Sequence, residues 1–160
     1  MTKINVLYKM KTNYRKLECE MNITKGHTVR LSESNILVKI AKPNNTNISV
    51  LTYDAKGRLI DTLPFNGDQL DIALDENKRV HSWLFAISAK HSIGIQDAQI
   101  TIRSKRDNIR YPVVQYITSE NTLVLCEVYR FNDHWVCKAI GRTYNMGLLS
   151  VDPQLNDIAV

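Results

Sequence analysis

The chain has 160 residues and a mass of 18.4 kDa, the size of one domain with a single core. Its 44% hydrophobic and 23% charged residues exclude a disordered chain, and no apolar run approaches the roughly 18 residues of a membrane span. The net charge is +5, but residues 1–18 hold five cations against Glu18 alone, so the rest of the chain is almost neutral.

The first 19 residues read as a basic N-terminal extension of a domain at residues 20–160. Two alternatives remain open for it: it docks on an acidic partner or at the periphery of a membrane, or its apolar residues pack back onto the domain. Its candidate contacts to an anionic partner are Lys9, Lys11, Arg15 and Lys16. No run of about 7–15 apolar residues follows these charges, so we expect no secretory signal.

The cysteines are few and odd in number, namely Cys19, Cys126 and Cys137. Such a set does not make a disulfide framework, and it is typical of a protein from a reducing compartment. We therefore expect a cytoplasmic protein.

Ten short segments alternate apolar and polar residues with the period of two that is typical of β-strands. Turn-forming residues separate them, and no helical pattern alternates with them. The predicted strands are His27–Leu31, Ile36–Ile40, Ile48–Tyr53, Leu59–Leu63, Leu70–Leu74, Val80–Ser88, Ala98–Arg103, Ile109–Ile117, Thr122–Phe131 and Trp135–Ile140. This series predicts an all-β fold, an antiparallel sandwich or barrel.

The last two predicted strands have a predictable register. A two-residue turn at Asn132-Asp133 places Glu127 opposite Lys138 and Val128 opposite Cys137, unless a bulge intervenes. Alternation puts Glu127 on the same side as Leu123, which is an unusual place for a carboxylate. We interpret Glu127 as the partner of Lys138 in a cross-strand ion pair, with a functional acid as the alternative.

Catalytic motifs are missing from the sequence. It contains no glycine-rich phosphate loop and no nucleophile elbow, so we expect a chain that is not an enzyme. A zinc site built from Cys126, Cys137 and His134 is disfavoured, because strand cysteines more often pack as small hydrophobic residues. The acidic residues Asp68, Asp71, Asp75 and Glu76 read as a solvated face.

A second basic cluster surrounds a predicted turn and consists of Arg103, Lys105, Arg106 and Arg110. Such a cluster can contact phosphates, but it is also typical of a solvated turn that protects a sheet edge. Nucleic-acid binding through this turn and the extension is therefore an alternative function, and the near-neutral body disfavours it.

The C-terminal third contains a Glu-x-Tyr-Arg motif at Glu127–Arg130, a turn, Trp135, an Ala-x-Gly motif that ends at Gly141, and Tyr144 followed by Gly147. This series resembles the signature of the bacterial TerD family, which is linked to tellurium resistance and general stress. Weaker agreement extends to Asn22–Gly26 and Val80–Ile102. The resemblance implies a two-sheet β-sandwich in which the signature residues have structural roles: Glu127, Tyr129, Arg130, Trp135, Gly141, Tyr144 and Gly147.

Members of that family commonly bind calcium through acidic loops. In this chain Asn45 and Asn47 stand where the family has aspartates, and only Asp68 matches a liganding acid. The resemblance thus implies a divergent member whose calcium binding is lost or weak, with no other cofactor. It also implies a non-catalytic binding module that acts through other proteins of a stress or tellurite-resistance system.

Overall fold

The computed structural model describes residues 20–42, 44–65, 67–89, 98–113, 121–145 and 151–154. Within them the chain forms eleven strands. In chain order these are β1 (Met21–Asn22), β2 (Thr28–Arg30), β3 (Asn35–Ala41), β4 (Asn47–Tyr53), β5 (Leu59–Pro64), β6 (Gln69–Ala73), β7 (Ser82–Ser88), β8 (Ala98–Arg103), β9 (Asn108–Val113), β10 (Thr122–Phe131) and β11 (His134–Tyr144).

The strands make two sheets that pack face to face. The smaller sheet has the order β1-β9-β8-β3-β6, and the larger has the order β2-β11-β10-β7-β4-β5. All pairs are antiparallel except β1 with β9. This is the predicted all-β, two-sheet sandwich. No helix in the described part of the chain is long and apolar enough to cross a bilayer.

The core lies between the sheets because each strand places alternate apolar side chains on its inner face. In β3 these are Ile36, Val38 and Ile40, all buried. In β7, the third strand from one edge of the larger sheet, Phe85 and Ile87 are completely buried. Burial of these side chains supplies the main favourable free energy of folding.

Each of the ten predicted strands coincides with one of β2–β11. Strand β1 is not among the ten predicted strands, because two residues are too few to show an alternation. The end of one predicted strand, residues 114–117, lies outside the described residues, as do residues 1–19.

A β-bulge in β10 corrects the predicted side of Glu127. The register shifts between Val124 and Cys126, so Leu125 is an extra residue relative to β7. Leu123 therefore faces the core, whereas Glu127 faces outward. The pairs Glu127–Lys138 and Val128–Cys137 form as predicted, because the bulge lies on the far side of them from the turn.

The facing strand β11 has its own irregularity at the same level. Cys126 pairs with Ala139, and Val124 pairs with Arg142. Between these two pairs, β11 therefore has one more residue than β10. Gly141 lies within it with a φ of 70°, a backbone conformation that glycine adopts without the clash of a Cβ atom.

Candidate functional site

The positions that correspond to family calcium ligands lie at one end of the sandwich. The backbone N–H of Ile40 donates to the carbonyl of Asp68 at 2.9 Å, which brings the β5–β6 turn beside the end of β3, shortly before Asn45. Asn45, Asn47 and Asp68 are all exposed.

This donor set is poor for calcium. One carboxylate and two amides carry little negative charge, and ligand charge is a main determinant of calcium affinity. Within the described ranges, moreover, no three His, Cys, Asp or Glu side chains are grouped so as to hold a metal ion. The residues present therefore do not fit a family-type calcium site.

Two signature residues meet at the opposite end of the sandwich, around Asp75. The Asp75 carboxylate accepts hydrogen bonds from Trp135 Nε1 at 3.0 Å and from Arg130 Nη1 at 2.9 Å. The Arg130 guanidinium also lies over the Trp135 ring, 5.4 Å from its centroid. Asp75 is exposed, as predicted for a solvated face, and its carboxylate also anchors both of these side chains.

We expect Asp75 to stabilise the protein in a pH-dependent way. The hydrogen bond from Trp135, followed by that from Arg130, lowers the pKa of Asp75 below its ordinary value. A group with a lowered folded-state pKa stabilises the fold fully above its unfolded pKa, and this stabilisation is lost as the pH falls through the folded pKa.

The test is urea unfolding of the natural chain and of Asp75→Asn between pH 7 and pH 3. At pH 6 we expect Asp75→Asn to cost about 1 kcal/mol, a modest value because Asp75 is half exposed. The difference should narrow below about pH 4. A difference that stays constant with pH would contradict this assignment.

A cleft of about 420 Å³ opens on the outer face of the larger sheet at this same end. The β4–β5 turn, the start of β7 and the end of β10 surround it. Its lining includes Tyr53, Ala55, His81, Ser82, Leu84 and Glu127.

Glu127 is held within this cleft by Ser82, whose Oγ donates to Glu127 Oε2 at 2.5 Å. The predicted ion pair with Lys138 is wrong. The two residues are in register, but no Glu127–Lys138 contact is among the ion pairs of the described residues. The carboxylate has turned along the sheet toward β7 instead.

A segment near the C-terminus contacts the β4–β5 hairpin beside the cleft. Tyr53 donates its hydroxyl to Asp152, and burial together with this bond raises the pKa of Tyr53, which therefore stays protonated. Gln154 accepts from the backbone N–H of Leu59 at 2.8 Å and donates to the carbonyl of Gly57 at 3.2 Å. These contacts fasten residues 151–154 to the β4–β5 hairpin.

The predicted anion contacts are divided between a sheet face and a turn. Arg103 and Arg110 project from the outer face of the smaller sheet, where Arg110 Nε donates to Gln99 at 3.0 Å. Lys105 and Arg106 lie in the β8–β9 turn, and Arg106 approaches Glu33 at 3.7 Å. The extension residues Lys9, Lys11, Arg15 and Lys16 lie outside the described residues.

The two cysteines of the β10–β11 hairpin are buried inside the core. Burial raises the pKa of Cys126, as does its hydrogen bond with Cys137, so its thiol is protonated and a poor nucleophile. His134 is on the outer face, away from both thiols, so the disfavoured zinc set is not brought together.

Asp107 has a structural role that the sequence analysis did not predict. This residue is 7% exposed, and both of its carboxylate oxygens accept from the backbone N–H of Ser32 at 3.0 Å. It also accepts from Ser104 Oγ at 2.7 Å. The Ser-x-x-Asp spacing within a turn was the available local signal, but Ser32 is 75 residues away.

The comparison with protein families matches the part of the chain that contains β10 and β11. Residues 86–151 match the TerD domain. The match confirms the resemblance read from the C-terminal third. It begins within β7 and includes every signature position, although Gly147 lies outside the described residues.

A solved structure supports the fold beyond the TerD match. It is described as "Crystal structure of unknown function protein SAV2460", and the alignment has a TM-score of 0.53 at 9% sequence identity. It covers 75% of this chain and 96% of that chain. At this identity the likeness concerns the fold alone. No curated protein matches the chain.

The cleft is thus built partly from the TerD match and partly from outside it. Glu127 and Arg130 belong to the matched stretch, whereas Tyr53, His81 and Ser82 precede it. The signature alone therefore does not specify the cleft.

Proposed function

We propose that this chain is a non-catalytic TerD-like binding module of a bacterial stress or tellurite-resistance system. It acts in the cytoplasm through protein partners of the same system, and its calcium binding is lost or weak. The observation that carries the proposal is the cleft beside the signature residues, because its polar side chains are fixed by one another. Such preorganised groups recognise a ligand without a large ordering cost.

The chemistry of the cleft supports binding rather than catalysis. The hydroxyl of Ser82 donates to the Glu127 carboxylate, which is a weaker base than the histidine that commonly activates a serine nucleophile. The Tyr53 hydroxyl is kept protonated, and the buried thiols lie on the opposite side of the sheet. The signature residues Arg130 and Trp135 shape the neighbouring rim through Asp75.

Photo-crosslinking in the cell tests the partner directly. A photoreactive residue replaces Ala55 at the rim of the cleft, and a matched one replaces Thr101 on the outer face of the smaller sheet. During tellurite challenge we expect one discrete protein to become crosslinked to position 55. That protein is then purified, and its binding to the natural chain is measured. The absence of any product, with unchanged tellurite tolerance after deletion of the chain, would refute the proposal.

The calcium part of the proposal has its own test by thermal unfolding. In calcium and in chelator we expect the natural chain to melt at the same temperature. Asn45→Asp/Asn47→Asp restores two carboxylates and should gain a calcium-dependent rise, because a ligand that binds only the folded state stabilises it. At a calcium concentration one hundred times the Kd, this stabilisation is about 2.7 kcal/mol.

The control for that experiment is Asn35→Asp, which adds a carboxylate at the other end of β3 and should gain no calcium dependence. A clear calcium-dependent rise in the natural chain would overturn this part of the proposal.

A further inference from the structure

The cleft presents hydrogen-bond acceptors and few donors. A hydroxyl carries one hydrogen and two acceptor lone pairs. Ser82 gives its hydrogen to Glu127, and Tyr53 gives its hydrogen to Asp152. Both hydroxyl oxygens therefore retain only lone pairs for a ligand, and the second carboxylate oxygen of Glu127 is also an acceptor.

Backbone donors at the rim are also engaged inside the protein. The N–H of His81 donates to the carbonyl of Tyr53 at 2.7 Å, and the N–H of Arg130 donates to the carbonyl of His81 at 2.9 Å. In the β4–β5 turn, the N–H of Gly57 donates to the carbonyl of Asp54 at 3.0 Å. These three backbone N–H groups are therefore not available to a ligand, and the side-chain donors of the lining include His81 and Arg130, which gives one N–H to Asp75.

The charges around the cleft also favour a ligand that donates hydrogen bonds and carries a positive charge. Arg130 is paired with Asp75, and Asp54 is paired with Arg58. Glu127 has no ion pair among the described residues, so its negative charge is not neutralised locally.

Two neighbouring groups bear on this charge. Asp152 adds a second carboxylate behind Tyr53. Lys138 is opposite Glu127 on β11 and is exposed, so it is the internal cation that competes for the same carboxylate.

We propose that the cleft binds the primary ammonium group of a lysine side chain on a protein partner. An ammonium group has three donors and no acceptor, which complements the oxygens of Glu127, Ser82 and Tyr53. Leu84 and Ala55 line the same cleft and can contact the methylene chain. The volume of about 420 Å³ is within the usual range of roughly 300–1,000 Å³ for ligand sites. This assignment rests on the proposed partner-binding function.

The test is an NMR titration of the full chain with N-acetyl-lysine methylamide. N-acetyl-norleucine methylamide is the matched probe, because it has a similar apolar chain without the ammonium group. We expect saturable shifts confined to residues near 53–58, 81–84 and 127–130 with the lysine probe only. Glu127→Gln keeps the shape and an acceptor for Ser82, and we expect it to weaken this binding at least tenfold.

Lys138→Gln is the matched control on the neighbouring strand, and it should bind the lysine probe as well as the natural chain or better. Equal shifts with the norleucine probe, undiminished binding by Glu127→Gln or no saturable shift at all would each overturn the assignment. If the crosslinked partner still binds the Glu127→Gln chain at full strength, the ammonium assignment fails while the partner-binding function stands.

Discussion

Phe85→Ala is expected to lower the free energy of unfolding by about 3–5 kcal/mol. Phe85 is completely buried in β7, between β10 and β4 of the larger sheet. Its truncation removes apolar area from the core and leaves a cavity that two close-packed sheets can fill only in part. Urea unfolding followed by tryptophan fluorescence measures the loss as a lower midpoint.

Phe131→Ala is the matched control for this experiment. The same truncation is made at a side chain that is 54% exposed at the tip of the β10–β11 hairpin. Its ring contacts only the edge of His134 among the described aromatic contacts, at 6.0 Å between centroids. We expect a cost below about 1 kcal/mol. Equal costs at the two positions would show that the core is not centred on Phe85.

Asp107→Ala is expected to lower the free energy of unfolding by about 3 kcal/mol. The change removes a charged acceptor from the backbone N–H of Ser32 and from Ser104 Oγ. Ser32 lies in the connection between the two sheets, whereas Asp107 lies in a turn of the smaller one. The bond therefore fixes the crossover, and its loss leaves the Ser32 N–H and Ser104 Oγ without their charged acceptor at a site where Asp107 itself is buried.

Two variants isolate this effect. Asp107→Asn retains one acceptor oxygen, and we expect it to recover part of the loss. Asp61→Ala removes an exposed carboxylate that accepts a hydrogen bond from the backbone N–H of the next residue, Thr62. It should lower the free energy of unfolding by less than about 0.5 kcal/mol. If Asp107→Ala and Asp61→Ala unfold at the same urea concentration, the crossover does not depend on Asp107.

Local patterns explain why the strands and one hairpin register were predictable. Strands with one buried face impose a period of two on the sequence, and this period is clearest in β3 and β8, where buried and less buried positions alternate. The turn residues Asn132 and Asp133 both adopt positive φ, 49° and 66°, as a two-residue hairpin turn requires. A two-residue turn determines the register of the strands on either side of it, so the pairing of Glu127 with Lys138 follows from local sequence alone.

The site was less predictable because it depends on contacts between distant parts of the chain. Asp75 and Trp135 are 60 residues apart, and no local pattern announces their hydrogen bond. The side of Glu127 depended on a bulge at Leu125, which adds one residue without changing the apolar pattern. The direction of the Glu127 side chain then depended on Ser82, from a strand that neighbours β10 only in the folded sheet.

The strand order has a consequence for synthesis on the ribosome. Among the described strands, β2 pairs only with β11 and β1 pairs only with β9, so each of the first two strands made has a partner far along the chain. Strand β1 stays unpaired until residues 108–113 have emerged, and β2 stays unpaired until residues 134–144 have emerged. Completion of the β2 edge of the larger sheet is therefore a late event, and C-terminal truncation within β11 should leave β2 unpaired as well.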